Sequence, residues 1–133
     1  MRSEFVTFKI GKKLEEKGFI HGYNLYGYKP IYTDANTIAL IWNIGAYGKD
    51  YFGENIPCPT ISQVLEWLRE LLEIDILPNI VISYCGNLNR IRSYSCNIYS
   101  PKLNKPIETE YFESYEEATL AGIEYVLDNF DKL

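Results

Sequence analysis

The chain has 133 residues, 47% hydrophobic and 23% charged, a balance that excludes intrinsic disorder and fits one folded domain over residues 1–133. Its net charge of −5, with lysines and arginines scattered, argues against a nucleic-acid backbone as the main partner, because phosphate binding needs clustered cations. Three cysteines without a CxxC pair, and no N-terminal apolar run, point to a reducing cytoplasmic setting, and no run of about 18 apolar residues marks a membrane span.

In chain order, Thr7 to Lys17 predicts a short helix with Ile10 and Leu14 inward and Gly18 at the left-handed C′ position. Phe5, Phe8 and Phe19 are expected to anchor it. Lys9, Lys12, Lys13 and Lys17 group there among Glu15 and Glu16, the composition of a solvated face. Strands follow at about Tyr23–Tyr32 and Thr37–Ile44, joined by Thr33-Asp34-Ala35-Asn36. The second alternates, with Ile38, Leu40, Trp42 and Ile44 on one face. The first is interrupted by Gly27 and Pro30 and is expected to be an edge strand. Gly45 to Pro59 has no period and is expected to be a long loop.

Thr60 to Leu72 carries the strongest periodicity. Ile61, Val64, Leu65, Leu68, Leu71 and Leu72 form one helical stripe, and Thr60 with Gln63 spells a capping box. Asn79–Cys85 and Ile91–Tyr99 then form a hairpin. Alternation places Ile80, Ile82, Tyr84, Tyr94, Cys96 and Ile98 toward the core, with Ser83, Ser93, Ser95 and Asn97 opposite. Ser100 to Phe112 is a polar connector. Ser114 and Glu117 mark the last helix, which runs to about Asn129 with Glu116, Glu117, Glu124, Asp128 and Asp131 along one stripe. Tyr115, Ala118, Gly122, Tyr125 and Val126 lie on its opposite, apolar side, and the small residues predict a close approach to the sheet. The expected fold is α+β in two layers: an antiparallel sheet of about four strands in two hairpins with three helices, in the order αββαββα.

The segment PTISQVLEWLRE at Pro59–Glu70, the apolar strand after it, SYEEATLAGIEYVLDNF at Ser114–Phe130 and FKIGKKLEEKGF at Phe8–Phe19 resemble a group of small uncharacterised proteins. That group occurs in bacteriophages, prophages and mobile elements of Bacteroides-type bacteria. The resemblance covers most of the chain outside Tyr23–Pro57. It implies an accessory protein that binds something, and supplies no catalytic residue.

The residues themselves offer little chemistry. His21 has no carboxylate or cysteine at metal-ligand spacing, so no metal or other cofactor is expected. Cys58 lies between two prolines at a helix entrance, where the helix N-terminus lowers a thiol pKa, but it has no identifiable base. Cys85 and Cys96 read as strand residues that behave as small hydrophobes. There is no G-x-x-x-x-G-K-[ST], no GxGxxG after a strand and no G-x-S-x-G. Tyr47, Tyr51 and Phe52 are the candidate binding residues, either closing over a ligand or packing on the sheet edge. Surplus aromatics without a catalytic constellation point to a non-enzymatic protein that contacts another protein or itself, as a homodimer. The alternative is a small ligand binder or enzyme with a pocket between the 45–59 loop and the 79–99 hairpin. A third reading, nucleic-acid binding or acidic mimicry of nucleic acid, draws on Tyr84, Arg90, Arg92, Tyr94 and Tyr99 or on the acidic stripe of the last helix.

Overall fold

The structure is a computed structural model that describes residues 5–19, 28–42, 48–50, 53–86 and 89–133. Among these the order is α1 (Phe8–Glu16), β1 (Tyr28–Asp34), β2 (Thr37–Trp42), β3 (Gly48–Asp50), β4 (Gly53–Pro57), α2 (Ile61–Leu72), β5 (Asp75–Cys85), β6 (Asn89–Tyr99), β7 (Ile107–Glu108) and α3 (Tyr115–Asp128), followed by a 3-10 turn at Phe130–Lys132. The class is α+β as expected. The strands, however, form two antiparallel sheets, ordered β2-β1-β4-β3 and β5-β6-β7, in place of one sheet of about four strands. The chain divides into two compact units, Met1–Trp67 and Leu68–Leu133.

Local chemistry sets the helix ends. Thr7 Oγ1 accepts the Ile10 N–H at 3.3 Å, and the end of α1 closes on Gly18, whose φ of +76° suits glycine. There the Gly18 N–H donates to Glu15 O and the Phe19 N–H to Leu14 O, both at 3.0 Å, the two bonds of a Schellman motif. The predicted capping box of α2 is present: the Gln63 N–H donates to Thr60 Oγ1 at 3.2 Å and the Thr60 N–H to Gln63 Oε1 at 2.9 Å. At α3 the box is half-formed. Ser114 Oγ accepts the Glu117 N–H at 3.2 Å, but the Glu117 carboxylate takes the Ser114 hydroxyl at 3.3 Å.

In the first unit, α1 packs on β4 with Ile10, Gly11 and Leu14 buried. Phe19, turned under the helix by the Schellman motif, is buried edge-on against Trp67 with ring centroids 5.1 Å apart. The expected edge strand is an inner one. β1 pairs with β2 through Tyr28–Asp34 and with β4 at Ile31 and Tyr32, so Pro30 lies outside the stretch that β4 pairs and its missing N–H is tolerated. The expected 45–59 loop contains β3 and β4, whose Ile56 and Pro57 are buried. The β1–β2 turn forms where expected, with Asp34 Oδ1 accepting the Asn36 N–H at 2.8 Å. That bond, with a second from Thr37, holds the Asp34 carboxyl below the usual range. Ile38, placed on the apolar face by alternation, is exposed.

The stripe of α2 centres on Val64, Trp67 and Leu68, all buried, while Leu71 is exposed. The helix ends one residue later at Leu72, and Glu73 turns the chain with φ of +57°, which puts Leu71 past the covered part of the stripe.

In the second unit, β5 and β6 pair without a register shift from Asp75↔Tyr99 to Cys85↔Asn89. α3 lies on Ile76, Cys96 and Ile98, and its buried face is Ala118, Thr119, Gly122, Ile123, Val126 and Leu127. Tyr115 and Tyr125, expected on that face, are exposed at its margins. The close approach expected of small residues is present at Gly122, where an added Cβ would stand 2.9 Å from Ile76 Cγ2 and 3.4 Å from Cys96 Cβ. The polar connector supplies β7, and the Ser100 hydroxyl donates to the Leu133 carbonyl at 2.8 Å, fixing the C-terminal turn.

Candidate functional site

Each element of the β5–β6 hairpin explains why its tip is uncovered. β5 and β6 have 11 residues each, a length of about 36 Å at strand rise, whereas the 14 residues of α3 extend only about 21 Å. The helix therefore covers the base of the hairpin, at Ile76, Cys96 and Ile98. Coverage ends where Tyr115, the first residue of α3, meets Tyr94 with ring centroids 4.6 Å apart.

Beyond that contact the strands project with both faces exposed. Alternation correctly places Ile80, Ile82 and Tyr84 on the face shared with Tyr94, Cys96 and Ile98, as the pairs Pro78↔Cys96 and Ile80↔Tyr94 show. They are not core residues: Ile80 is 42% exposed, Ile82 47% and Tyr84 67%. Leu77, Val81 and Ile91 are exposed on the opposite face, where Ser95 is buried and donates to Glu108 Oε2 at 3.2 Å. Apolar side chains clustered on both faces of a projecting hairpin are a feature of contact surfaces. From Leu77 to Cys85 the strand, LPNIVISYC, carries no charged residue. Across from it, Arg92 faces Ile82 and Arg90 faces Tyr84, and both arginines are exposed.

The sequence signal for this surface is the run Ile80-Val81-Ile82. Consecutive apolar residues in a strand put apolar groups on both faces, and a helix on one side covers only one.

Tyr47, Tyr51, Phe52 and His21 lie outside the described residues. Cys58 is not an activated thiol. It is fully buried with Tyr32 and Ile56, and Phe5 and Phe8 pack on that cluster. Burial pushes its pKa up, only partly opposed by a side-chain hydrogen bond with Tyr32, the opposite of the lowering expected from the helix N-terminus. The Tyr32 hydroxyl donates to the Val6 carbonyl at 2.5 Å and is itself held well above its ordinary pKa, first by burial and then by Cys58. Cys96 is also buried and its pKa raised by desolvation, the small-hydrophobe behaviour expected of it, whereas Cys85, of which the same was expected, is exposed at the end of β5. Of the residues grouped for nucleic-acid recognition, Tyr84, Arg90, Arg92 and Tyr99 are exposed, while Tyr94 packs on Tyr115.

Among the described residues no group of three or more His, Cys, Asp or Glu side chains is placed to hold a metal, and no helix is long and apolar enough to cross a membrane. No protein-family model, curated protein or solved structure matches the chain.

Proposed function

We propose that this chain is a non-enzymatic accessory protein, of phage or mobile-element origin as the resemblance of its helices implies, that works by contact with other protein chains. The observation that carries this reading is the projecting hairpin, with exposed apolar side chains on both faces and no charge along β5 from Leu77 to Cys85. Burying such side chains against a partner releases about 25 cal/mol for each Å² of apolar area removed from water, which a surface left in solvent forgoes. The absence of charge from Leu77 to Cys85 favours a protein partner over a phosphate backbone.

The face, as distinct from the edge, is tested by replacing Val81 and Ile91 together with serine. Chain immobilised by its N-terminus is expected to retain at least one protein from host lysate, and the double variant to retain it at least tenfold less. Equal retention by both, or none by the original chain, contradicts the reading. So does a shifted oligonucleotide at about 50 mM salt that is released as salt rises, which would give Tyr84, Arg90 and Arg92 to nucleic acid.

A further inference from the structure

Building on the protein-contact reading above, we propose that the outer edge of β5 pairs with β5 of a second copy of this chain, antiparallel about a two-fold axis at Ile82, so that two sheets become one.

The direction of the main-chain groups follows from β6. The Tyr94 N–H donates to Phe112 O at 2.9 Å and the Phe112 N–H to Tyr94 O at 2.6 Å, while Cys96 O accepts the Thr109 N–H at 2.9 Å. Tyr94 and Cys96 thus turn their main-chain groups away from β5. In an antiparallel ladder the residues opposite them, Ile80 and Pro78, form the pairs that exchange no hydrogen bonds, and their own groups point outward. Alternation carries the pattern to Ile82 and Tyr84. The outer edge therefore presents the carbonyl of Pro78 and the N–H and carbonyl of Ile80, Ile82 and Tyr84. Among the described residues no strand pairs with it, β5 being the end strand of its sheet.

Pro78 and the end of β5 select the register. With the axis at Ile82, Ile80 faces Tyr84 of the second copy, Ile82 faces Ile82, and each such pair exchanges two hydrogen bonds with every donor present. Pro78, which lacks an N–H, then falls opposite Gly86, past the end of β5. Moving the axis to Ile80 or Val81 would set Pro78 opposite Ile82 or Tyr84, twice, and delete a bond each time. Moving it to Ser83 or Tyr84 would carry Ile80 past the end of β5 and lose its pair with an outward-facing residue.

Side chains and charge select the occupant. In the Ile82 register, Ile80 and Ile82 meet Tyr84 and Ile82 of the second copy on one face, pairs of the β-branched and aromatic kind that stabilise sheets, and Val81 meets Ser83 on the other. No like charges are brought together, because Leu77–Cys85 carries none. The outer edge of β6 at the same level carries exposed Arg90 and Arg92, the charged side chains by which an edge strand repels its own copies. β5 lacks that protection.

The test uses the full chain in two arms. Light scattering across a dilution series is expected to show the original chain at twice the 15.5 kDa of one copy and Ile82→Pro at the mass of one copy, with circular dichroism unchanged because an outward-facing edge position tolerates proline. In a Cys85→Ser background, mild oxidation is expected to link Ile82→Cys into a covalent dimer, the paired Cα atoms being about 5.5 Å apart and within disulfide reach. Ile80→Cys is expected not to link, since its counterpart lies about four residues along the strand, roughly 13 Å away. A monomeric original chain with no link at Ile82→Cys overturns the pairing, as does equal linking at both positions or a dimer that survives Ile82→Pro. A monomer that still retains a lysate protein through Val81 and Ile91 overturns only the pairing. A dimer that retains nothing overturns only the reading of the exposed face.

Discussion

Gly11→Ala is expected to lower the stability of the first unit by about 2–3 kcal/mol, the cost of overpacking a site that cannot relax cheaply. Gly11 is buried in the middle of α1, where glycine costs a helix up to about 1 kcal/mol relative to alanine, so propensity alone predicts a gain. Packing reverses the sign. A Cβ there would overlap the carbonyl oxygen of Pro57 and stand 2.9 Å from Ile56 Cγ2. Pro57 belongs to β4 and is paired with Ile31 of β1, so its carbonyl cannot turn aside without disturbing the sheet. The remaining relief is to lift α1 from β4, which uncovers Ile10 and Leu14. Urea unfolding followed by tryptophan fluorescence reads this as a lower midpoint at unchanged slope. Lys12→Ala, one residue on and exposed, serves as the control and is expected to stay within about 0.5 kcal/mol.

Gly122→Ala is expected to cost the second unit about 1–2 kcal/mol. Here the added methyl meets a side chain in place of a main-chain carbonyl: Ile76 Cγ2 at 2.9 Å, then Cys96 Cβ at 3.4 Å. The Cγ2 of isoleucine is attached directly to Cβ and has one strongly preferred position, so it gives way less readily than the end of a long side chain. Leucine has no methyl at that point. Ile76→Leu is therefore expected to remove most of the penalty of Gly122→Ala, a coupling of about 1 kcal/mol in the double-mutant cycle. Additive effects of the two substitutions would show that α3 does not approach β5 this closely.

Local signals in the sequence are accurate wherever one short segment decides the structure. The Thr60–Gln63 box, the Ser114 cap and the Gly18 turn each satisfy main-chain groups within a few residues, and each is present. The first sheet is less legible because its pairing is decided at a distance. β4 is five residues long, carries no alternating pattern, and is held by Ile31 and Tyr32 of β1, so Gly45–Pro59 reads as a loop. Pro30 reads as a mark of an edge because how far β4 would extend along β1 is invisible in sequence. In the second unit alternation assigns the faces of β5 and β6 correctly. How much of a face a helix of given length covers is a matter of tertiary placement, and that is why Ile80, Ile82 and Tyr84 read as core. Tyr47, Tyr51 and Phe52 lie outside the described residues, and the hairpin is a surface that alternation alone assigns to the core.

Amide hydrogen exchange along β5 at high and low protein concentration tests the hairpin edge most directly. Val81 and Ser83, whose main-chain groups face β6, are expected to exchange slowly at both concentrations. Ile80, Ile82 and Tyr84 are expected to be protected at high concentration and to lose that protection on dilution, as the second copy leaves. Rapid exchange of Ile80, Ile82 and Tyr84 at every concentration would show that β5 pairs with nothing but β6.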